Sequence, residues 1–264
     1  MQATASPVGS PADTSPRVGI LMLDTRFPRP PGDIGHPDSF RRRGIEPLYQ
    51  VVNGASARRV VRQADASLLT PFIEAGWALV NRGATRIGTS CGFLARFQHA
   101  LQSALPVPVL SSALLACASA DAPGILTFDA ESLDSDVLAA AAVPPGTPVQ
   151  GIGQDSGLYQ CIINDDEQMD FEEAERAVVS AALALVTRDP AVRTIVLECT
   201  NLPVHQSAIE AATGRPTVDL VRCCPGLLRP DESVKRRGLS DPEPLQTPPS
   251  GFPEGYGSPS LRFP

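Results

Sequence analysis

Thr194-Ile195-Val196-Leu197-Glu198-Cys199-Thr200-Asn201-Leu202-Pro203 is the stretch that decides the fold. Thr194 to Leu197 is a short run of β-branched and aliphatic residues and reads as a buried strand. Cys199 sits in the turn after it, and a helix is expected from about Leu202 to Ala212. Gly214-Arg215-Pro216 breaks that helix and leads into a strand, Thr217 to Val221. Upstream, Phe171 to Arg188 reads as a helix whose first turn carries Glu172, Glu173 and Glu175, an arrangement that suits the helix dipole.

The same order occurs earlier in the chain. Val18 to Leu23 is an apolar run that ends in Asp24-Thr25 and reads as a buried first strand. A Pro/Gly-rich stretch from Pro28 to Pro37 must be irregular. Ser67 to Arg82 carries Leu68, Leu69, Phe72, Ile73, Ala75, Leu79 and Val80 at helical spacing, and Gly83 closes it. Thr85 to Gly88 is the next strand, with Cys91 in the turn that follows. Gly92 to Leu105 is a helix, and Val107 to Leu110 a strand ending in Ser111-Ser112. Placing Cys91 on Cys199, an offset of 108 residues, brings Ile87 onto Ile195, Gln98 onto Gln206, Ala100 onto Ala208, Ala104 onto Ala212 and Pro108 onto Pro216 without a gap.

The expected architecture is therefore α/β: two similar lobes with mostly parallel sheets flanked by helices, and an active-site cleft between them. The first lobe should span 16–115 with Cys91, and the second 116–224 with Cys199. Residues 1–15, rich in Ala, Ser, Pro and Thr, read as a disordered N-terminal segment. Residues 225–264 read as a Pro-rich mobile tail, because such a composition cannot offset its ordering entropy.

Composition narrows the function classes. A formal net charge of −7 argues against a nucleic-acid partner, and Arg41-Arg42-Arg43 reads as a solvated loop. No run reaches the ~18 apolar residues of a membrane span, and the N-terminus lacks a secretory pattern, so a cytoplasmic protein with no membrane partner is expected. Six cysteines without a C-x-x-C pair, and three scattered histidines, do not suggest a disulfide scaffold or a zinc site. Gly151-Ile152-Gly153 lacks the third glycine of a dinucleotide loop. Most cysteines in such a chain are small buried hydrophobes, the reading kept for Cys117, Cys161, Cys223 and Cys224.

Cys91 and Cys199 stand apart because each follows a strand and precedes a helix start. Ligands in open α/β sheets bind outside the carboxyl ends of strands. Two thiols converging there suit proton transfer at a carbon beside a carboxylate. One thiolate removes the proton while the other thiol delivers one to the opposite face. Backbone N–H groups of the cysteine turns can hold the enolate-like charge, so no metal or organic cofactor is needed. The adjoining helix N-termini are expected to lower the thiol pKa values.

These segments resemble the aspartate/glutamate racemase superfamily, which includes hydantoin racemases and arylmalonate decarboxylases. Glu198-Cys199-Thr200-Asn201-Leu202-Pro203 is similar to the second cysteine motif of that group, and Thr89-Ser90-Cys91-Gly92-Phe93 to the first. Leu23-Asp24-Thr25 resembles the pair closing the first strand, and Val109-Leu110-Ser111-Ser112 the strand end where hydroxyl residues line the site. The resemblance spans about Arg17 to Val221. It implies a cofactor-independent racemase or epimerase of a small carboxylic or amino acid, or a cyclic derivative, in amino-acid metabolism. Cys91 and Cys199 would be catalytic, with Asp24, Thr25, Ser90, Gly92, Phe93, Ser111, Ser112, Thr200 and Asn201 around the substrate. A small carboxylate-like molecule is the expected partner, with homo-oligomerisation left open.

Cys91 is followed by Gly-Phe rather than Asn-Thr, and Asn201 stands where glutamate racemases carry a histidine. Both departures lead away from an aspartate or glutamate substrate. Retention of both cysteines favours racemisation over decarboxylation. A single-cysteine decarboxylase or cis–trans isomerase, and a non-catalytic small-acid binder, remain the alternatives.

Overall fold

The computed structural model describes residues 17–223. The N-terminal segment 1–15 and the tail 225–264, with Cys224, lie outside the described residues.

Two four-stranded, all-parallel sheets organise the described chain. The first runs in the order β2-β1-β3-β4, from Arg17–Leu23 (β1), Glu46–Val52 (β2), Arg86–Thr89 (β3) and Val109–Leu110 (β4). The second runs β6-β5-β7-β8, from Pro123–Thr127 (β5), Val149–Gly151 (β6), Thr194–Leu197 (β7) and Thr217–Val218 (β8). The strand order is the same in both, so the α/β reading and the two-lobe repeat appear directly in the topology. Parallel strands need crossover connections, and here helices supply them, covering the sheet faces with apolar surface. Inner strands are accordingly buried: six of the seven residues of β1 and all four of β7 are buried.

The repeat extends to individual hydrogen bonds. Ile87 N–H donates to Pro108 O at 2.9 Å, and its counterpart Ile195 N–H donates to Pro216 O at 3.0 Å. Ser90 N–H donates to Leu21 O, and Glu198 N–H to Leu126 O. Gln98 holds the end of β4: its Nε2 donates to Val109 O at 2.9 Å, and its Oε1 accepts from Ser111 N at 3.0 Å and Ser111 Oγ at 2.7 Å. Gln206 does the parallel work in the second lobe by donating to Thr217 Oγ1. Matching glutamines and prolines thus perform matching structural tasks.

Helix Phe171–Arg188 forms where the sequence places it. Asp170 caps it by accepting from Glu172 N and Glu173 N. Helix Leu69–Asn81 is followed by Gly83 at φ +90°, a conformation that favours glycine. Other expectations need correction. The helices expected at Gly92–Leu105 and Leu202–Ala212 both begin as tighter 3₁₀ turns, Gly92–Phe97 and Leu202–His205, before the α-helices Gln98–Ala104 and Gln206–Thr213. The strand expected over Thr217 to Val221 stops at Val218. Asp219 then accepts from Val221 N and Arg222 N, both at 2.8 Å, and turns the chain into the helical segment Leu220–Cys223.

Strands β2, β5 and β6 carry weak sequence signals. β2 includes Pro47 and mixed exposure, which an edge strand tolerates because one side of its backbone is unpaired. β5 opens on Pro123-Gly124, and Gly124 is required there: a Cβ would meet the Val192 methyls at 2.8 Å. No helix among the described residues is long and apolar enough to cross a membrane.

The paired glutamines make the repeat measurable. Gln98→Ala and Gln206→Ala should each destabilise the protein by about 1–3 kcal/mol in urea unfolding, since each strands buried groups at the end of its lobe's last strand. The double variant should be additive because the sites lie in different lobes.

Candidate active site

The carboxyl ends of β3 and β7 deliver Cys91 and Cys199 into one pocket. Thr200 Oγ1 donates to Ser90 O at 2.7 Å, a buried bond that ties the second cysteine turn to the first. On the other side, Gly92 lies against Glu198. A Cβ at Gly92 would fall 2.3 Å from both the backbone oxygen and Oε1 of Glu198, so only glycine permits this approach. The two turns therefore meet, and Cys91 and Cys199 line one small, partly open cavity with Ser90, Phe93 and Asn201. Leu23, Ala57, Val61 and Ile162 supply apolar wall. Phe27, Phe128 and Glu198 complete the lining and were not singled out from the sequence.

Not every expected site residue reaches the cavity. Asp24 is exposed and accepts from Gly54 N at 2.8 Å, closing a turn. Thr25 Oγ1 accepts from Arg29 Nη2 at 3.1 Å. Ser111 is occupied by Gln98, and Ser112 caps the next 3₁₀ turn by accepting from Leu114 N at 3.2 Å. Thr200 serves the inter-turn bond. These five hold the scaffold around the pocket, whereas Ser90, Cys91, Gly92, Phe93, Cys199 and Asn201 face into it.

Two polar networks flank the cavity. Cys199 Sγ donates to Asn201 Oδ1 at 3.4 Å, and Asn201 Nδ2 donates to Asp33 Oδ2. Asp33 is fully buried and pairs with Arg29 at 3.0 Å, whose guanidinium lies 4.4 Å from the Phe27 ring centroid. Phe128, also in the lining, stacks on Tyr159 with centroids 4.5 Å apart. Tyr159 donates to buried Asp129 at 2.9 Å, and Arg62 reaches both, with Nε 2.8 Å from the Tyr159 hydroxyl and 2.9 Å from Asp129 Oδ2. Both guanidiniums are thus committed to carboxylates outside the cavity. His205 is buried beside Glu175 at 3.5 Å and serves the scaffold.

Burial dominates the electrostatics. The Cys91 thiol is pushed up to about 12, first by burial and then by the neighbouring Glu198 carboxyl, against the opposing pull of the Phe93 N–H and Arg29. Cys199 is likewise raised, by burial and again by Glu198. The expectation that helix starts would lower these pKa values fails, because desolvation and a nearby carboxyl outweigh one turn of 3₁₀ dipole. Glu198 itself is fully buried and raised to about 7, chiefly by burial. Its Oε2 accepts from Thr127 Oγ1 at 2.7 Å and Phe128 N at 3.4 Å, while Oε1 has no donor. A charged residue closing an otherwise apolar strand was the sequence signal for Glu198. Among the described residues no group of three or more His, Cys, Asp or Glu could hold a metal ion.

Solved structures of the same architecture place the fold. Arylmalonate decarboxylase matches with a TM-score of 0.52 at 16% identity, covering 77% of this chain and 86% of that one. Allantoin racemase from Klebsiella pneumoniae matches at 0.54 and 14%, covering 81% and 84%. Allantoin racemase from Pseudomonas fluorescens matches at 0.53 and 19%, covering 80% and 86%. The chain has the fold of these arylmalonate decarboxylase and allantoin racemase structures. In sequence it is similar to dimethylsulfoniopropionate lyases of Emiliania huxleyi (strain CCMP1516). Lyase 7 is 30% identical over 230 residues, covering 81% of this chain and 66% of the relative. Lyase 3 is 29% identical, and the chain spans 59% of its length. The lyase of Durusdinium sp. clade D is 25% identical over 249 residues, covering 85% and 78%. No protein-family model matches the chain.

Two outcomes follow from the charge balance. Folded Glu198 binds its proton more tightly than the unfolded side chain, so folding stability falls as pH rises from about 4.5 to about 7. The wild type should lose on the order of 3 kcal/mol against Glu198→Gln over that window in urea titrations. Separately, alkylation of Cys91 by iodoacetamide at about pH 8 should run at least about tenfold slower than that of free cysteine, since the thiol stays protonated. Mass spectrometry of the modified peptide reads this directly.

Proposed function

We propose that this protein removes the proton α to a carboxylate with a cysteine thiolate and expels a β-substituent, the elimination named by the dimethylsulfoniopropionate lyases it resembles. The observation that carries the reading is the convergence of Cys91 and Cys199 on one small, largely apolar pocket. The sequence likeness to those lyases over four-fifths of the chain supports β-elimination as the outcome.

In the proposed reaction one thiolate takes the α-proton and becomes a thiol. The electron pair left on the α-carbon forms the new carbon–carbon double bond as the β-carbon–sulfur bond breaks. Neutral dimethyl sulfide leaves with the electrons of that bond, and acrylate remains. Charge that builds on the carboxylate before cleavage is met by donors of the cysteine turns, where the Phe93 N–H already faces the Cys91 sulfur. The apolar part of the wall limits water around the reacting atoms. No cofactor is required for these electron movements.

A racemase or epimerase acting through both thiols is the second reading. The observation that favours it is the presence of a sulfur from each lobe in the same cavity. The two readings differ in the number of acid–base groups they need: elimination needs one base, whereas two-base racemisation fails when either thiol is lost.

Headspace measurement of dimethyl sulfide from purified protein and dimethylsulfoniopropionate tests the lyase reading. Release is expected, and at least one of Cys91→Ser and Cys199→Ser should lower it by on the order of 10²- to 10⁴-fold. If neither substitution lowers the rate, the thiol mechanism fails. If no sulfide forms but α-proton exchange in heavy water requires both cysteines, the racemase reading replaces it.

A further inference from the structure

The buried Glu198 carboxyl has one oxygen that no described residue satisfies. Oε2 is held by Thr127 and the Phe128 N–H, whereas Oε1 is buried beside Gly92 with no donor among the described residues, and Glu198 and Gly92 both line the cavity. A buried carboxylate is normally paired or fully hydrogen-bonded. Among the described residues no Lys, Arg or His lines the cavity, and Arg29 and Arg62 are already paired with Asp33 and Asp129. The aromatic residues of the same cavity are Phe27, Phe93 and Phe128, and Phe128 has one ring face packed on Tyr159.

We propose that Glu198, with the phenylalanine rings at Phe27, Phe93 and Phe128, forms the subsite for a cationic group on the β-carbon of the substrate, so that the cavity selects onium carboxylates over neutral ones of the same shape. The inference rests on the lyase reading for its choice of β-carbon. Its physical basis is complementary: an unpaired carboxylate oxygen supplies the counter-charge, and aromatic rings attract a weakly hydrated cation that an ammonium-binding surface would not prefer. The arriving cation also offsets the carboxylate that raises both thiols, which favours the thiolate when substrate is bound. The titratable groups facing Glu198 are Cys91, Cys199 and Asp129, each of which adds negative charge when ionised and none of which supplies a cation.

The test compares two probes on the full chain by calorimetry: a propionate bearing a trimethylammonium group on its β-carbon, and its neutral isostere bearing a tert-butyl group there. At about pH 8 the wild type should bind the cation at least about tenfold more tightly, and the ratio should fall to about unity in Glu198→Gln. Phe128→Leu should reduce the ratio severalfold, and this variant keeps the test intact where Glu198→Gln does not fold. The wild-type preference should also weaken as pH falls below about 7, where Glu198 gains its proton. Equal affinity of the two probes for the wild type, or an unchanged ratio in Glu198→Gln, overturns the subsite. A cation preference without sulfide release supports the subsite and rejects the lyase reading. Sulfide release without a cation preference rejects the subsite and leaves the lyase reading standing.

Discussion

The contact between the two cysteine turns is the constraint on which the site depends. Gly92 packs on Glu198 so closely that no side chain fits, and Thr200 donates across to Ser90 O. That pairing brings the carboxyl ends of β3 and β7 together and sets both sulfurs on one cavity. It also buries Cys199. The same closure that assembles the thiols therefore raises their pKa values, because a thiolate formed there would lose its hydration.

The protein answers this cost of burial unevenly around the cavity. The Asn201–Asp33–Arg29 chain and the Asp129–Tyr159–Arg62 cluster are internally balanced, each with a guanidinium matched to a buried carboxylate. Glu198 has no such partner for Oε1. Among the cavity-lining residues, Glu198 is the carboxylate left with an unpartnered buried oxygen, the kind of imbalance a bound substrate can resolve.

The lobes are equivalent in scaffold and different in decoration. Ile87 and Ile195, Gln98 and Gln206, Pro108 and Pro216 perform paired tasks. The residues beside the cysteines do not match: Ser90 and Gly92 flank one, Glu198 and Thr200 the other. A scaffold repeat gives two thiols a common approach to one carbon, and the unequal flanks make the two faces chemically distinct. This asymmetry suits a reaction that uses the two sides differently, as elimination does, better than one in which the two thiols exchange roles.

The sequence by itself determined the two-lobe α/β plan, because buried parallel strands leave runs such as Ile20 to Leu23 and Thr194 to Leu197 that are apolar on both faces. It also marked Cys91 and Cys199, since a residue in the turn after such a strand is placed by the strand. It left β2, β5 and β6 unmarked, as Pro47, Pro123 and a three-residue edge strand carry little periodicity. What only the tertiary structure decided is which side chains meet. Ser111 and Ser112 look like site hydroxyls in the chain, yet Gln98 and a 3₁₀ cap claim them. Phe27, Phe128 and Glu198 come from three separate segments and become neighbours only when the lobes close. The sign of the thiol pKa shift was decided there too: helix starts are local and visible in sequence, whereas desolvation depends on every atom that excludes water.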